Sequence, residues 1–166
     1  MERKDIDKML FVSESADYCD KYIEHLIEQY KIYVSSAEKI SDRRQKANEF
    51  FLAVNTALVA LLGFIVSKTN SDQIIEMLVI ASLAGIVMCY LWYRMVRSYD
   101  GLNSGKYKVI HLIERRLPLA LYDTEWEVLG RGERKDLYEP FTKIEAKVPW
   151  IFIGIYSLLF LSAGLA

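Results

Sequence analysis

The chain has 166 residues, enough for one compact unit and hardly two, and it carries 21 Lys and Arg against 22 Asp and Glu. The resulting net charge of −1 excludes bulk electrostatic attraction to nucleic acid, so we expect no direct nucleic-acid binding. Apolar residues make up 52% of the chain and charged residues 26%, and the mean hydropathy is above zero. This composition indicates separate apolar and charged blocks, as in a membrane protein with a sizeable polar part.

The first part of the chain predicts one long helix. Residues 1–10, MERKDIDKML, are charged and lack the apolar core of a signal peptide, so we expect no cleavage there. Residues 1–62 contain neither glycine nor proline, and a helix from Ser13 through Gly63 would have about 50 residues and a length of roughly 75 Å. Residues 1–49 form its cytoplasmic, amphipathic part. Its apolar or small residues recur three and four apart, which indicates a partner helix: Leu26, Tyr30, Tyr33, Ala37, Ile40, Ala47 and Phe51.

Three stretches of the chain lack Asp, Glu, Lys and Arg: Phe50–Ser67, Met77–Tyr93 and Val148–Ala166. Each approaches the roughly 20 residues that a helix needs to cross a hydrocarbon core. The sequence therefore predicts an all-α integral membrane protein with three transmembrane helices, at residues 50–67, 74–95 and 149–166. The alternative, buried helices of a soluble protein, would need many more polar-faced elements to enclose them.

The basic residues predict the orientation of these spans. Nine of the 21 Lys and Arg lie in residues 1–49 and eleven in residues 94–147, which leaves Lys68 alone in the short connection after the first span. The positive-inside rule then places the N-terminus in the cytoplasm and the C-terminus outside. Aromatic residues stand where a membrane–water interface is expected: Tyr90, Trp92, Tyr93 and Trp150.

Residues 96–148 are predicted as a cytoplasmic helix followed by a loop. Helical spacing continues after Arg94 up to Pro118, so with a tight turn at residues 69–72 the first two spans and their extensions form a long antiparallel hairpin, or stalk. Residues 117–140 are predicted to be non-helical, with a turn at Gly130–Gly132. Thr142–Glu145 fits a capping box that starts the third helix, and Pro149 would kink that helix or start the span itself.

Two pairs of opposite charge fit one antiparallel register of this hairpin. If Arg44 lies opposite Asp100, then Glu28 lies opposite Arg116. As exposed pairs, each would stabilise the hairpin by at most about 1 kcal/mol, so they would select the register more than they stabilise it.

Catalytic and metal-binding patterns are weak. His25 and His111 are the only histidines, and the antiparallel register offsets them by roughly 12 Å, too far for shared metal ligation. The sequence has no Ser-His-Asp arrangement, P-loop or CxxC pattern, and Cys19 and Cys89 have no metal-ligand spacing. We therefore expect no metal, no cofactor and no enzyme activity.

Basic residues suggest two weaker binding hypotheses. The Gly130–Gly132 turn with Arg134 and Lys135 would suit a phosphate or lipid headgroup, although a solvated loop is the simpler interpretation. Basic residues beside the spans are placed to contact anionic membrane lipid, where topology alone would also put them: Arg43, Arg44, Lys46, Arg94 and Arg97.

Asn55 and Thr56 fall within the first span, where an amide is costly unless it is hydrogen-bonded or faces water. Asn48 and Gly63 share the helix face of Asn55. In the second span, small residues suited to close helix contact form a stripe: Ser82, Gly85 and Cys89. The candidates for a subunit interface or a pore lining are Asn48, Asn55, Thr56, Gly63, Ser82 and Gly85. The alternative is that Asn55 bonds to a neighbouring helix of its own subunit.

Several blocks resemble the RipA family of small octameric bacterial membrane proteins. They are EQYKIYVSSAEKISDRRQKANEFFLAVNTALVALLGF, YDGLNSGKYKVIHLIERRLP, EWEVLGRG and YEPFTKIEAKVPWIF. The resemblance covers roughly residues 28–156 and implies a homo-octamer of the bacterial inner membrane with a large cytoplasmic portion. The family is also similar to the accessory membrane pore of type VI-B CRISPR systems, which implies a role in antiphage defence. An Arg-x(4–6)-His ribonuclease motif discussed for that group is absent, because neither His25 nor His111 has an arginine at that spacing upstream.

Two functions are consistent with these features. In the first, subunits form a ring-shaped pore or membrane-perturbing effector, in antiphage defence or a stress response, that dissipates the membrane potential. In the second, the protein is a non-conducting membrane scaffold whose stalk docks a cytoplasmic partner, such as a defence protein. A membrane-bound enzyme is a distant third.

Overall fold

The structure, a computed structural model, describes residues 3–13, 15–18, 20–68, 72–134 and 136–165. Within these ranges the chain is helical and has no strand, so the predicted all-α fold is confirmed. Its elements are α1 (Arg3–Leu10), α2 (Tyr22–Lys68), α3 (Asp72–Glu114), α4 (Leu121–Val128), a 3₁₀ turn (Gly130–Gly132), α5 (Phe141–Glu145) and α6 (Val148–Leu165).

Three helical segments are long and apolar enough to cross a membrane: α2, α3 and the α5–α6 region. This agrees with the three predicted spans, whose limits at 50–67, 74–95 and 149–166 stay predictions. Only 11%, 22% and 11% of their most apolar windows are buried inside the protomer. Most of the apolar surface of each segment therefore remains available to lipid or to other copies of the chain.

The structure corrects three local predictions. The first long helix begins at Tyr22 rather than near Ser13, and the separate helix α1 precedes it. Residues 117–140 include the helix α4, although they were predicted to be non-helical. The capping box at Thr142 is wrong, since α5 starts one residue earlier, after Pro140, and its N-terminus has no side-chain cap.

Pro149 is the second residue of α6, so it starts the third span instead of kinking it. A proline is tolerated there because the first turn of a helix has no intrahelical partner for its backbone N–H groups. The predicted tight turn at residues 69–72 lies mostly outside the described residues.

The chain divides into two units. The first unit comprises Met1–Ser41 and Gly101–Tyr138, and the second comprises Asp42–Asp100 and Glu139–Ala166. Buried side chains of the first unit come from α2 and α3: Ala37, Ile110, Leu112 and Ile113. The second unit contains the apolar parts of α2, α3 and α6, and its core cluster is formed by Leu62, Leu78, Cys89, Tyr156 and Ala163.

Candidate functional site

Asn55 is the centre of a polar contact between the three apolar helices of the second unit. Its side chain is fully buried, and its Oδ1 accepts hydrogen bonds from the Tyr156 hydroxyl (3.1 Å) and from the Cys89 thiol (3.2 Å). Its Nδ2 donates to the carbonyl oxygen of Phe51, 2.8 Å away on the same helix. One amide from α2 thus joins α3 and α6 at a depth where hydrocarbon offers no alternative partner.

Gly85 allows α6 to approach α3 beside this contact. A Cβ atom at Gly85 would lie 2.6–2.7 Å from three atoms of the Tyr156 ring, which leaves no space for a side chain. Ser82, one turn earlier on α3, is fully buried, and its Oγ has no hydrogen-bond partner in the described part of the chain. Gly85 and Ser82 therefore lie in helix contacts within one protomer, and their assignment to a subunit interface or a pore lining stays a prediction.

A second contact layer lies toward the N-terminal side of Asn55 on α2. The Trp92 indole donates to Asn48 Oδ1 (2.7 Å) and stacks on the Phe51 ring, with 5.8 Å between ring centroids. Beyond this layer, Arg44 Nε lies 3.4 Å from Glu145 Oε2. Neither of these two atoms has a hydrogen-bond partner in the described residues, so the Arg44–Glu145 pair is held by charge attraction alone.

The predicted Asn48–Asn55–Gly63 face divides in the structure. Asn48 and Asn55 bond to other helices of their own protomer, which is the alternative considered for Asn55. Thr56 and Gly63 are exposed, and a Cβ at Gly63 would meet no atom within 4 Å. The part of this face that is open to another subunit or to a passage is therefore Thr56 and Gly63.

Glu114 is the polar centre of the first unit. Its side chain is only 1% exposed, yet it accepts three hydrogen bonds. The Tyr30 hydroxyl (2.9 Å) and the Tyr122 backbone N–H (3.0 Å) donate to Oε1, and the Asp123 backbone N–H (3.0 Å) donates to Oε2. These two N–H groups belong to the first turn of α4, so Glu114 at the end of α3 caps α4 across the intervening loop.

The environment of Glu114 affects its neighbours. Burial, together with the hydrogen bond to Glu114 and the charge of that carboxylate, raises the pKa of Tyr30 far above its usual value near 10. Tyr30 therefore remains a neutral donor throughout the physiological range. Close by, His111 Nδ1 lies 3.5 Å from Asp123 Oδ1.

The two histidines have separate partners, since His25 Nδ1 is 3.0 Å from the Tyr18 hydroxyl while His111 faces Asp123. Among the described residues, no three His, Cys, Asp or Glu side chains are grouped to hold a metal ion. Cys19 lies outside the described residues.

Two hydrogen-bonded pairs fit the counting of the predicted antiparallel register, which stays a prediction, but its charged residues have other partners. With Arg44 opposite Asp100, Tyr30 falls opposite Glu114 and Asn55 opposite Cys89, and both of these pairs are hydrogen-bonded. Arg44 itself pairs with Glu145, and Asp100 with Arg97 on its own helix (3.5 Å), so the predicted Arg44–Asp100 pair is wrong. Exposed charges find a partner three residues away at little cost, and they therefore do not fix the pairing of two helices.

For the second predicted pair, the structure gives each residue a partner of its own. Glu28 pairs with Lys31 (2.8 Å) on α2. The Arg116 guanidinium donates to the Tyr22 hydroxyl (3.2 Å) and lies 3.4 Å from the centroid of the Phe11 ring.

The Gly130–Gly132 turn has three consecutive residues with positive φ: 67°, 54° and 69°. Arg131 adopts this left-handed conformation between the two glycines and pairs with Glu127 (2.5 Å). Arg134 pairs with Asp136 (2.7 Å), and Lys135 lies outside the described residues. The two described arginines of this turn are thus already matched with carboxylates, which weakens the hypothesis of a phosphate site there.

Comparison with known families identifies the chain. A family model described as the octameric membrane protein family (8xMP) matches residues 27–165. The chain belongs to this family. The predicted resemblance to small octameric membrane proteins is thereby confirmed, and the 8xMP chain is a membrane protein that forms homo-oligomers. No curated protein and no solved structure matches it.

Three residues of these contacts, Tyr156, Trp92 and Glu114, were not among the predicted site residues. Tyr156 had a usable signal, because a hydroxyl in the middle of an apolar span needs a partner as much as the Asn55 amide does. Trp92 was assigned to the membrane interface, but it is buried, and its N–H is bonded to Asn48. No sequence signal of this kind marked Glu114, because its role is to cap α4, a helix that was not predicted from the sequence.

Proposed function

We propose that this 8xMP chain forms a ring in the bacterial inner membrane whose opening lets ions cross and dissipates the membrane potential. The N-terminus and the first unit lie in the cytoplasm and the C-terminus outside, as the basic residues predict. The protein acts in antiphage defence or a stress response, and it performs no catalysis. Each elementary charge that crosses moves through about 2.3 kcal/mol per 100 mV, so a narrow opening would discharge a cell.

The observation that carries this proposal is the unpartnered hydroxyl of Thr56. Two exposed serine hydroxyls on the apolar helices donate to their own backbone: Ser67 to the Phe64 carbonyl (2.7 Å) and Ser162 to the Leu159 carbonyl (2.8 Å). Thr56 is exposed and has no hydrogen-bond partner among the described residues. A free hydroxyl in hydrocarbon is unfavourable, so Thr56 would face either water or a neighbouring subunit.

The surroundings of Thr56 favour close approach of another copy. Except for Phe64, which is 62% exposed, the exposed residues on this side of α2 are small. Small residues let helix backbones come together in a membrane. The small exposed residues here are Ala53, Thr56, Ala57, Ala60 and Gly63. Eight copies that meet through or around this face would bring eight Thr56 hydroxyls toward one axis, and a single protomer cannot enclose a water-filled path.

A liposome assay tests conduction. The purified oligomer is reconstituted in liposomes carrying a potassium diffusion potential, and a voltage-sensitive dye reports its decay. The wild-type ring should accelerate the decay, and Thr56→Leu should slow it by a large factor, because eight leucines would dewet the passage. Thr56→Ser keeps the hydroxyl and should conduct like the wild type.

Ser162→Leu is the matched control, since it also replaces an exposed small polar residue of a span by leucine. It should leave the decay unchanged. If the wild-type protein leaves the potential intact under every activating condition tried, in liposomes and in cells, conduction is ruled out.

The second candidate is a non-conducting scaffold, and one observation favours it. On and just before α4, three large apolar side chains are strongly exposed: Leu119 (66%), Leu121 (63%) and Val128 (71%). Such a patch is typical of a protein-binding surface. Replacing Leu121 and Val128 by Ser would abolish docking of a partner and leave any conduction intact, so the two functions are separable in one set of variants.

A further inference from the structure

We propose that the second unit binds the headgroups of anionic phospholipids through three exposed cations, Arg43, Lys46 and Arg94. We call these three residues the cation cluster. Along the chain, Arg43 and Lys46 precede the apolar part of α2, and Arg94 follows the apolar part of α3. The inference depends on the spans lying in a bilayer, and it holds whether or not the ring conducts.

The cation cluster is distinguished by its lack of partners. Its three side chains are exposed and have neither an ion pair nor a hydrogen bond within the described ranges. Other cations of the second unit are matched: Arg44 with Glu145, Arg97 with Asp100 and Lys147 with Glu139 (3.4 Å). The charge of the cluster is therefore available to an external anion.

The cluster lies next to the aromatic layer of the spans. Trp92 bonds to Asn48, and Tyr93 contacts the Trp150 ring edge-to-face with 5.5 Å between centroids, so α2, α3 and α6 meet at this level. Arg94 directly follows Tyr93. Lys46 is two residues before Asn48, about 3 Å along the helix axis, and Arg43 is about 7.5 Å before it. This is the depth of lipid phosphates next to an interfacial aromatic belt.

The neighbours of the cluster favour a lipid over a soluble anion. Large apolar and aromatic side chains beside it are exposed: Phe50, Tyr90, Leu91 and Trp150. A ligand at this position meets cations on one side and apolar surface on the other, which an anionic phospholipid satisfies with its phosphate and its acyl chains. Nucleic acid carries the phosphate but has no chains for the apolar side.

Two carboxylates of α2 accompany the cluster. Glu49 accepts a hydrogen bond from Gln45 (2.9 Å), and Asp42 is exposed beside Arg43. They lower the net charge of the surface without occupying its cations. The binding should therefore be selective but moderate, and sensitive to ionic strength.

Quenching of tryptophan fluorescence by brominated lipid measures this selectivity. The full-length oligomer is reconstituted in bilayers that mix phosphatidylglycerol and phosphatidylcholine, with one of the two brominated in each series. Exposed Trp150 reports the lipid beside the cluster. A cation at a membrane surface contributes about 1 kcal/mol, or about fivefold in binding. The wild type should thus prefer phosphatidylglycerol by about tenfold or more, and Arg43→Gln/Lys46→Gln/Arg94→Gln should reduce the ratio to near one.

Two controls separate charge from folding. Arg43→Lys/Arg94→Lys keeps the charge and should keep the preference. The matched variant Lys39→Gln/Lys108→Gln/Arg115→Gln removes three exposed cations of the first unit and should also keep it. Inorganic phosphate should reduce the preference no more than chloride of equal ionic strength.

A wild-type ratio near one, or an unchanged ratio in the triple cluster variant, would overturn the proposal. So would a specific effect of inorganic phosphate, which would identify a soluble anion as the ligand. None of these results would bear on conduction, because the liposome assay with Thr56→Leu uses a different residue and a different readout.

Discussion

At the scale of single residues, Tyr156 performs two tasks that reinforce each other. Its hydroxyl donates to Asn55 on α2, and its ring fills the space that Gly85 leaves on α3. In hydrocarbon there is no general hydrophobic driving force between helices, so close packing and a few hydrogen bonds determine which helices associate. The Asn55–Tyr156–Gly85 contact is therefore expected to contribute strongly to the stability of the second unit.

Gly85→Ala tests the packing part of this contact. The added Cβ would lie 2.6 Å from the Tyr156 ring, an aromatic ring held by its neighbours, so either the ring or a helix must shift. We expect a loss of about 1–3 kcal/mol, typical of overpacking, measured as a lower unfolding midpoint in detergent. Gly154→Ala on α6 is the control, because a Cβ there meets nothing within 4 Å. A Gly85→Ala protein as stable as the Gly154→Ala protein would contradict the close approach of Tyr156.

At the scale of elements, the least expected feature is a helix whose cap comes from another helix. The N-terminus of α4 has no side-chain cap of its own. Glu114 at the end of α3 supplies it instead, and the same carboxylate holds Tyr30 of α2. One side chain thus fixes three helices of the first unit, and α4 should depend on it more than on its own sequence.

Glu114→Gln removes the charge and one of the two acceptor oxygens. Because a buried N–H of α4 would then face an NH₂ group, we expect α4 to open more easily, by about 1–3 kcal/mol. Hydrogen exchange at Tyr122, Asp123 and Thr124 should become at least about tenfold faster. Glu125→Gln, an exposed change on α4 itself, should leave this exchange unchanged. Equal exchange in the two variants would show that α4 is stable without its cap.

Elements differ in how far the sequence could predict them. The three apolar helices were predictable, because a bilayer demands about 20 residues without charge and few other structures satisfy that demand. The counting that started from Arg44 and Asp100 also sets Asn55 opposite Cys89, although Arg44 and Asp100 themselves have other partners. Helix α4 was missed because its cap lies seven residues upstream of its first residue. The sequence did not identify the partner of Asn55, because Tyr156 is distant in sequence. The Tyr156 hydroxyl also needs a partner in the span, but that signal was not used in the prediction.

At the scale of the whole molecule, polar side chains of the spans bond within the protomer, whereas most of the apolar surface of the spans is exposed. Asn48 and Asn55 form hydrogen bonds inside the protomer, while most of the span surface stays uncovered. In a family of octamers, that surface must divide between lipid and neighbouring copies. We assign the Thr56–Gly63 face to contact with neighbouring copies and the cation cluster to contact with lipid. Both assignments assume the membrane orientation that the basic residues predict.

The orientation itself is therefore the most consequential prediction. Twenty of the 21 Lys and Arg lie on one side of a three-span arrangement. If the topology were inverted, the cation cluster and the first unit would lie outside the cell instead of in the cytoplasm. A cysteine added after Ala166, in a Cys19→Ser background that keeps the buried Cys89, should react with an impermeant maleimide in intact cells. Lys39→Cys, exposed on α2, should react only after permeabilisation, because we place it in the cytoplasm. Labelling of Lys39→Cys in intact cells, with the C-terminal cysteine protected, would show the opposite topology. The excess of cations on one side of the membrane would then need a cause other than the positive-inside rule.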